Sequence, residues 1–347
     1  MSESPGPHRR RRGGDLPVTA IAELAGVSAP TVSKVLNGRA GVSEETRRRV
    51  EALLRDHGFR NSGSAPSSRH LEVVFHGMLS SIAMEIMRGI EEVATAHDMT
   101  FGYLDVHRRG RTGSLWVDTL LIRQPAAVIA VSSAVTPEHR ETLVGNGIPL
   151  VALDPTSDLH STPSIGSTNW SGALNATRHL LDLGHRRIGV LAGPVKDLAS
   201  RARLDGFRAA MDAAGVPLDK QLLRHGLFTF EQGRDLAIEL LRLPEPPTAV
   251  VCGDDLQALG VYEAARLAGR CIPDQLSVVG FDDVEQAAWC APPLTTVRQP
   301  FAAMGAAAAK FAVALAAGET PKRTRVELAT TLVVRGSTAP PASQPIH

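Results

Sequence analysis

Hydrophobic and polar positions along this chain follow two different rhythms, and the change falls between residues 60 and 70. Before it, apolar positions recur at helical spacing in three short groups. Ile21, Leu24 and Ala25 give a first helix one apolar face, Val32, Val35 and Leu36 a second, and Val50, Leu53 and Leu54 a third. Gly26 ends the first helix, because a positive φ costs glycine little, and Val27 fills the gap to the second. Ser28 is placed as the second helix's N-cap, with Pro30 in the first turn, where its missing N–H does no harm. Ser43 caps the third helix, Glu44 and Glu45 favour its positive end, and Gly58 closes it.

After residue 70, short continuous apolar runs alternate with amphipathic segments. The runs predict strands at 71–75, 100–105, 128–131, 149–154, 187–192, 249–252 and 276–281. The segments between predict helices, among them 83–96, 173–183, 199–214, 231–241 and 256–268. Continuous apolar strands alternating with helices imply parallel sheets covered on both faces, and two such series imply two lobes. Ligands in such folds bind beyond the carboxyl ends of strands, so the cleft between the lobes is the expected site. The stretch between the two rhythms, NSGSAPSSRH at 61–70, has the composition of a loop and is read as a linker. The organisation expected is a disordered basic arm at 1–16, an all-helical headpiece at 17–60, the linker, an α/β core at 71–338 and a flexible tail at 339–347.

The polar side of the second helix carries the first functional signal. Pro30, Ser33, Lys34 and Asn37 recur at i, i+3, i+4 and i+7, opposite the apolar stripe, with Ser28, Ala29 and Thr31 at its start. Small and hydrogen-bonding side chains with one cation suit a DNA major groove, and the short hydroxyls can fix the register on phosphates. A solvated surface hairpin would present the same stripe. Charge separates the two. Lys and Arg total 37 against 36 Asp and Glu, yet residues 1–70 hold 12 basic against seven acidic residues. The near-neutral chain thus has a basic front, the electrostatic footprint of a DNA-binding headpiece. Arg9 to Arg12 read either as a solubilising tail or as a source of added sequence-independent phosphate attraction.

The run AELAGVSAPTVSKVLNGRAGVSEETRRRVEALLRDHGFR resembles the headpiece of the lactose-repressor (LacI/GalR) family of bacterial transcription regulators. Its AGVS turn, TVSxVLNG helix, VSEETRxRV helix and GFR ending follow in the family's order and spacing. LGHRRIGVLAGP, RARLDGFRAAM, LSVVGFDD, PPLTTVRQP and VELATTLVVRGST extend the resemblance through the core. It implies a helix-turn-helix headpiece on a two-lobed, periplasmic-binding-protein-like core whose chain crosses between the lobes three times. It also implies a homodimer on a near-palindromic operator, with a sugar-like effector in the cleft. Half-sites would lie about one helical turn apart, ~34 Å.

Carried over position by position, the resemblance makes Asp282 of the GFDD turn a hydroxyl-binding aspartate and Arg203 the effector-binding arginine, whose rigid fork suits two neighbouring oxygens. Asp154 matches a further polar contact and Phe228 an aromatic stacking position. Asp254 stands where the family often has asparagine, which keeps two acceptors and loses two donors. Ser80, Trp170 and Trp289 are looser candidates. Two departures stand out. The family's hinge, roughly PNxxARxLR, is replaced by a segment with Asn61 at the proline position, Gly63 and Pro66 inside the would-be helix and Ser68 in place of the minor-groove leucine. Pro17 replaces the family's capping Thr, leaving either Asp15 to cap the first helix or its first turn to fray.

Other classes receive little support. There is no GxxxxGK[ST] loop, GxSxG elbow, HExxH or paired-cysteine metal site, and neither an enzyme nor a cofactor is implied. Three cysteines, Cys252, Cys271 and Cys290, lack ligand-like spacing with histidines and read as ordinary thiols in a reducing compartment. With no apolar run long enough to span a membrane, a cytoplasmic location is expected. A sugar receptor without gene control and a co-repressor-type regulator of another metabolite remain as alternatives.

Overall fold

The headpiece helices form where the apolar spacing places them: α1 at Val18–Ala25, α2 at Ala29–Leu36 and α3 at Glu44–Asp56. Ile21, Ala22, Ala25, Val32, Val35, Val50 and Leu54 bury together, with Val27 and Leu53 packed against them. Leu24 corrects the expected face of α1: it is 56% exposed, and Ala22 takes the inward position instead. Gly26 turns the chain at φ +64°. Ser28 Oγ accepts from the Thr31 amide (3.4 Å) and Ser43 Oγ from that of Thr46 (3.3 Å), so both expected caps are made.

This computed structural model describes residues 18–36, 41–56, 68–75, 81–106, 115–132, 135–157, 162–319, 321 and 323–342. It divides into two compact units between Pro66 and Ser67. The readings at 1–17, Asn37, Gly58, 61–67, Ser80 and the end of the tail lie outside the described residues, as do the side chains of Ser33 and Leu36.

The second unit holds two six-stranded sheets. One contains β1 (His70–Phe75), β2 (Thr100–Asp105), β3 (Ala127–Val131), β4 (Leu150–Leu153), β5 (Ser164–Ser167) and β11 (Arg325–Leu328). Its helices are α4 (Ser81–Ala96), α5 (Leu115–Arg123), α6 (Pro137–Gly145) and α12 (Phe301–Ala316). The other contains β6 (Ile188–Ala192), β7 (Leu223–His225), β8 (Ala249–Cys252), β9 (Ser277–Asp282), β10 (Thr295–Arg298) and β12 (Thr331–Val333). With it go α7 (Asn169–Asp182), α8 (Leu198–Ala213), α9 (Phe230–Leu241), α10 (Asp255–Leu267) and α11 (Glu285–Trp289). Strand orders are β11-β5-β4-β3-β1-β2 and β12-β10-β9-β8-β6-β7. The described pairings are parallel except β10 with β12.

The period-2 alternation of each strand explains why both faces are covered. On β1, Leu71, Val73 and Phe75 pack with α4 and α12, while Val74 points the other way, toward the Trp116, Val117 and Leu120 of α5. In the second lobe Val190, Val251 and Val279 join α7 and α8, while Leu191, Val250 and Val278 join α9 and α10. Each fully buried side chain of this kind stabilises the lobe by roughly 1.5–3 kcal/mol.

The chain passes between the lobes at β5–α7, β10–α12 and β11–β12. These crossings are bonded to one another. The Thr330 amide donates to Thr168 Oγ1 (2.9 Å), and Ser167 Oγ donates to Gln299 Oε1 (2.5 Å).

Candidate DNA-reading helix and ligand cavity

In the headpiece, Val32 and Val35 fix α2 by its inner side, which leaves Ser28, Pro30 and Lys34 exposed and Ala29 and Thr31 half-buried. Ser28 and Thr31 share a hydroxyl–hydroxyl bond of 2.8 Å at the N-terminus of α2. A helix whose N-terminal residues project from a three-helix support is the arrangement by which this motif enters a major groove.

In the core, residues from both lobes close around a cavity of about 370 Å3. The first lobe supplies Phe75, Ile82, Ile86, Ser132, Asp154 and Thr156, and the second Asp197, Arg203, Phe228, Asp254 and Asp282. Gln299, from the second crossing, completes the wall. Asp154 follows β4, Asp254 follows β8 and Asp282 ends β9, so these acids stand at the carboxyl ends of parallel strands.

Arg203 anchors the site. It is buried on α8; its Nε donates to Asn169 Oδ1 (2.7 Å) and its Nη1 to the Gly253 carbonyl (2.5 Å), while Nη2 lies 3.4 Å from Asp282 Oδ1. Its guanidinium sits over the Phe281 ring at 3.8 Å, and the Phe228 ring lies 5.7 Å away. Gln299 Nε2 donates to Asp282 Oδ1 at 2.7 Å.

Glycines make room for the aromatic wall. A Cβ on Gly193 would collide with the Phe228 ring, and one on Gly253 would lie 2.8 Å from it. The GFDD turn is held in an uncommon conformation, with φ +111° at Asp282 and +60° at Asp283. Asp283 holds it by accepting from Arg298 Nε and Arg335 Nη2, each at 2.6 Å. Asp255 adds a second brace, accepting from Thr296 Oγ1 (2.5 Å) and from the Val284 amide (2.9 Å). Of the paired acids in GDD and GFDD, one of each pair therefore faces the cavity and the other is structural.

Burial dominates the electrostatics. It pushes the Asp154 carboxyl up to about 6 against the pull of Arg203, and Asp254 up to about 7, with the Asp282 charge adding to the rise. Asp282 is also raised by burial, and Arg203 and Gln299 hold it back.

Asp154, Arg203, Phe228, Asp254 and Asp282 thus come together on one cavity. Trp170 does not: it is half-exposed on α7 beside a smaller cavity of about 140 Å3 that shares Asp154. Trp289 is 70% exposed at the end of α11. Sequence reasoning missed Gln299, Asn169, Ser132 and the Phe281 platform. Gln299 lies within the PPLTTVRQP phrase, a signal that was present but gave no side-chain direction. A larger cavity of about 610 Å3, between α8 and β7, is lined only by residues of the second lobe. A ligand there touches one lobe and cannot report their relation.

The comparisons with known proteins fall on both units. Residues 19–62 match the family described as bacterial regulatory proteins, lacI family, and residues 177–338 match a periplasmic binding protein-like domain. The HTH-type transcriptional repressor CytR of Escherichia coli is 33% identical over 290 residues, covering 81% of this chain and 84% of its own. The chain belongs to the lacI family of bacterial regulatory proteins. It is a DNA-binding transcriptional regulator and not an enzyme. Among solved structures, the complex of the transcriptional regulator CelR with cellobiose matches with a TM-score of 0.71 and 30% identity, covering 93% of this chain and 100% of that one. The lac repressor dimer bound to operator and the anti-inducer ONPF matches with a TM-score of 0.70 and 26% identity, covering 93% and 99%. No described helix is long and apolar enough to cross a membrane.

Proposed function

We propose that this regulator represses a carbohydrate-utilisation operon and that a small sugar-like effector in the interlobe cavity controls its affinity for DNA. Two copies act together on a near-palindromic operator. Ser28, Ala29, Pro30, Thr31, Ser33, Lys34 and Asn37 contact DNA, and Asp154, Arg203, Phe228, Asp254 and Asp282 contact the effector. The observation that carries the reading is the Arg203 fork, held between Asn169 and the Gly253 carbonyl beside Asp282, on a cavity walled by both lobes. A ligand touching both walls distinguishes lobe arrangements, and only such differential affinity can shift binding to DNA. The relative solved with cellobiose supports a sugar-like occupant, and the lac repressor dimer supports a pair.

The test is binding to DNA from the protein's own upstream region, titrated with a panel of sugars. Lys34→Ala is expected to weaken operator binding and leave sugar affinity unchanged, while Arg203→Lys does the reverse. Sugar that tightens the complex would identify co-repression. Operator affinity indifferent to every sugar, or sugar affinity unchanged by Arg203→Lys, would refute the cavity as the control site.

A further inference from the structure

Among the described residues the cavity is rich in acceptors and poor in donors, which bears on the class of ligand it takes. Four carboxylates line it, those of Asp154, Asp197, Asp254 and Asp282, against one described cation, Arg203. That cation is already committed: three of its nitrogens face Asn169, the Gly253 carbonyl and Asp282. Asp254 is 6% exposed. One of its oxygens accepts from the Gln257 amide at 2.8 Å, and the other takes no hydrogen bond among the described residues at the cavity it lines. Among the described residues the Asp154 carboxylate likewise takes none, and Asp282 is bonded through Oδ1. The described donors left for a ligand are the hydroxyls of Ser132 and Thr156, the second Gln299 N–H and the remainder of Arg203.

Ligand classes fare differently against this inventory. A phosphate would bring two negative charges to a cavity whose described lining holds four acids and one arginine, already engaged. A neutral polyol can donate its O–H groups to these carboxylates but brings no compensating charge. An ammonium brings three donors, no acceptor and the compensating charge. Phe228, Phe75 and Phe301 supply apolar surface for the C–H faces of a ring.

We infer that the effector is an amino sugar, a hydroxylated ring bearing a protonated amine that donates to Asp254 and Asp282. This rests on the cavity being the effector site. An asparagine in place of Asp254 would add two N–H donors to the cavity and take away a charge, so this one position changes what the cavity selects. The upward displacement of Asp154 and Asp254 by burial fits a cavity short of positive charge.

The experiment is calorimetric titration of the full chain at pH 7.5 with paired probes: glucosamine against glucose, galactosamine against galactose, and chitosan disaccharide against cellobiose. Glucose 6-phosphate is the anionic control. In at least one pair the amine is expected to bind about tenfold tighter or more, the size of one charged hydrogen bond. Asp254→Asn, which keeps an acceptor for the Gln257 amide, is expected to cut that advantage to about threefold or less. A neutral sugar that binds as well as its amine in every pair overturns the inference, as does silence in all pairs. If a neutral sugar binds and releases operator, the effector-site reading survives. If an amine binds equally well to wild type, Asp254→Asn and Arg203→Lys, both fall.

Discussion

Asp254→Asn has a consequence for stability that needs no knowledge of the ligand. Asparagine serves as well as aspartate at an N-cap, so the bond from the Gln257 amide persists and the carboxylate is the only loss. Burial raises the Asp254 carboxyl to about 7, so the folded core holds its proton more tightly than the unfolded chain does. A group raised in this way contributes its full stability below the unfolded value, near 3.8, and loses it as pH rises through about 7. The asparagine variant has no proton to lose. The difference between the two proteins therefore starts as pH rises through about 4, is smallest at the acid end of the range and is complete by about pH 8. About three pH units correspond to about 4 kcal/mol if nothing else responds. Water entering the open cavity and protonation of Asp282 absorb part of this, leaving about 1–2 kcal/mol, or roughly 3–6 °C in melting temperature for a core of this size. The three tryptophans, Trp116, Trp170 and Trp289, all lie in the core, so their fluorescence follows that unit alone. Melting at pH 4.5, 6, 7 and 8 is the assay. Two curves that run parallel across this range, or a variant less stable than wild type at pH 8, would refute the argument.

The other predictions concern contacts seen directly. Lys34→Ala should lower the slope of log affinity for operator against log salt by about 0.9 if the lysine neutralises one phosphate; an unchanged slope would place Lys34 off the backbone. Gly193→Ala puts a methyl into the Phe228 ring, whereas Gly145→Ala meets nothing within 4 Å. Sugar affinity should fall about tenfold in the first and hold in the second; equal behaviour would remove Phe228 from the ligand wall. Gln299→Ala cuts the bond from Ser167 and the bond to Asp282. It should loosen the lobes in small-angle scattering and shrink the operator response more than the sugar affinity; a proportional loss of both would make Gln299 a plain ligand contact.

Much of the fold was legible because burial on both faces writes strands as continuous apolar runs. β1, β3, β6, β8 and β9 were found within one or two residues of their ends. β5 (SIGS), β7 (LRH), β11 (RVEL) and β12 (TLV) were not, since three or four residues at a sheet edge or a crossing are too few to carry a period. Leu24 was misplaced because two helical faces, one through Ala22 and one through Leu24, fit an eight-residue helix equally until α3 packs on it. In the cavity, Arg203 and Asp282 came from motifs. Gln299 and Asn169 follow β10 and β5, and only the crossing of the chain between lobes brings them to the same arginine–aspartate pair.

That convergence has a mechanical meaning. Ser167 Oγ donates to Gln299, Gln299 to Asp282, Asp282 faces Arg203, Arg203 donates to Asn169, and Asn169 Nδ2 returns to the Ser167 carbonyl at 3.3 Å. The circuit closes through two of the three crossings and through the cavity's arginine and one of its acids. Bonds of this kind tolerate little change in length or angle before they weaken. A rotation of one lobe against the other must therefore displace Gln299 or Asn169, and with them the acceptor geometry of Asp282. In the proposed reading, an effector donating to Asp282 binds the two lobe arrangements with different strength for that reason, which is the condition for any effect on DNA. Each member of the circuit lies between Ser167 and Gln299, so the atypical residues before β1 have no part in generating that difference.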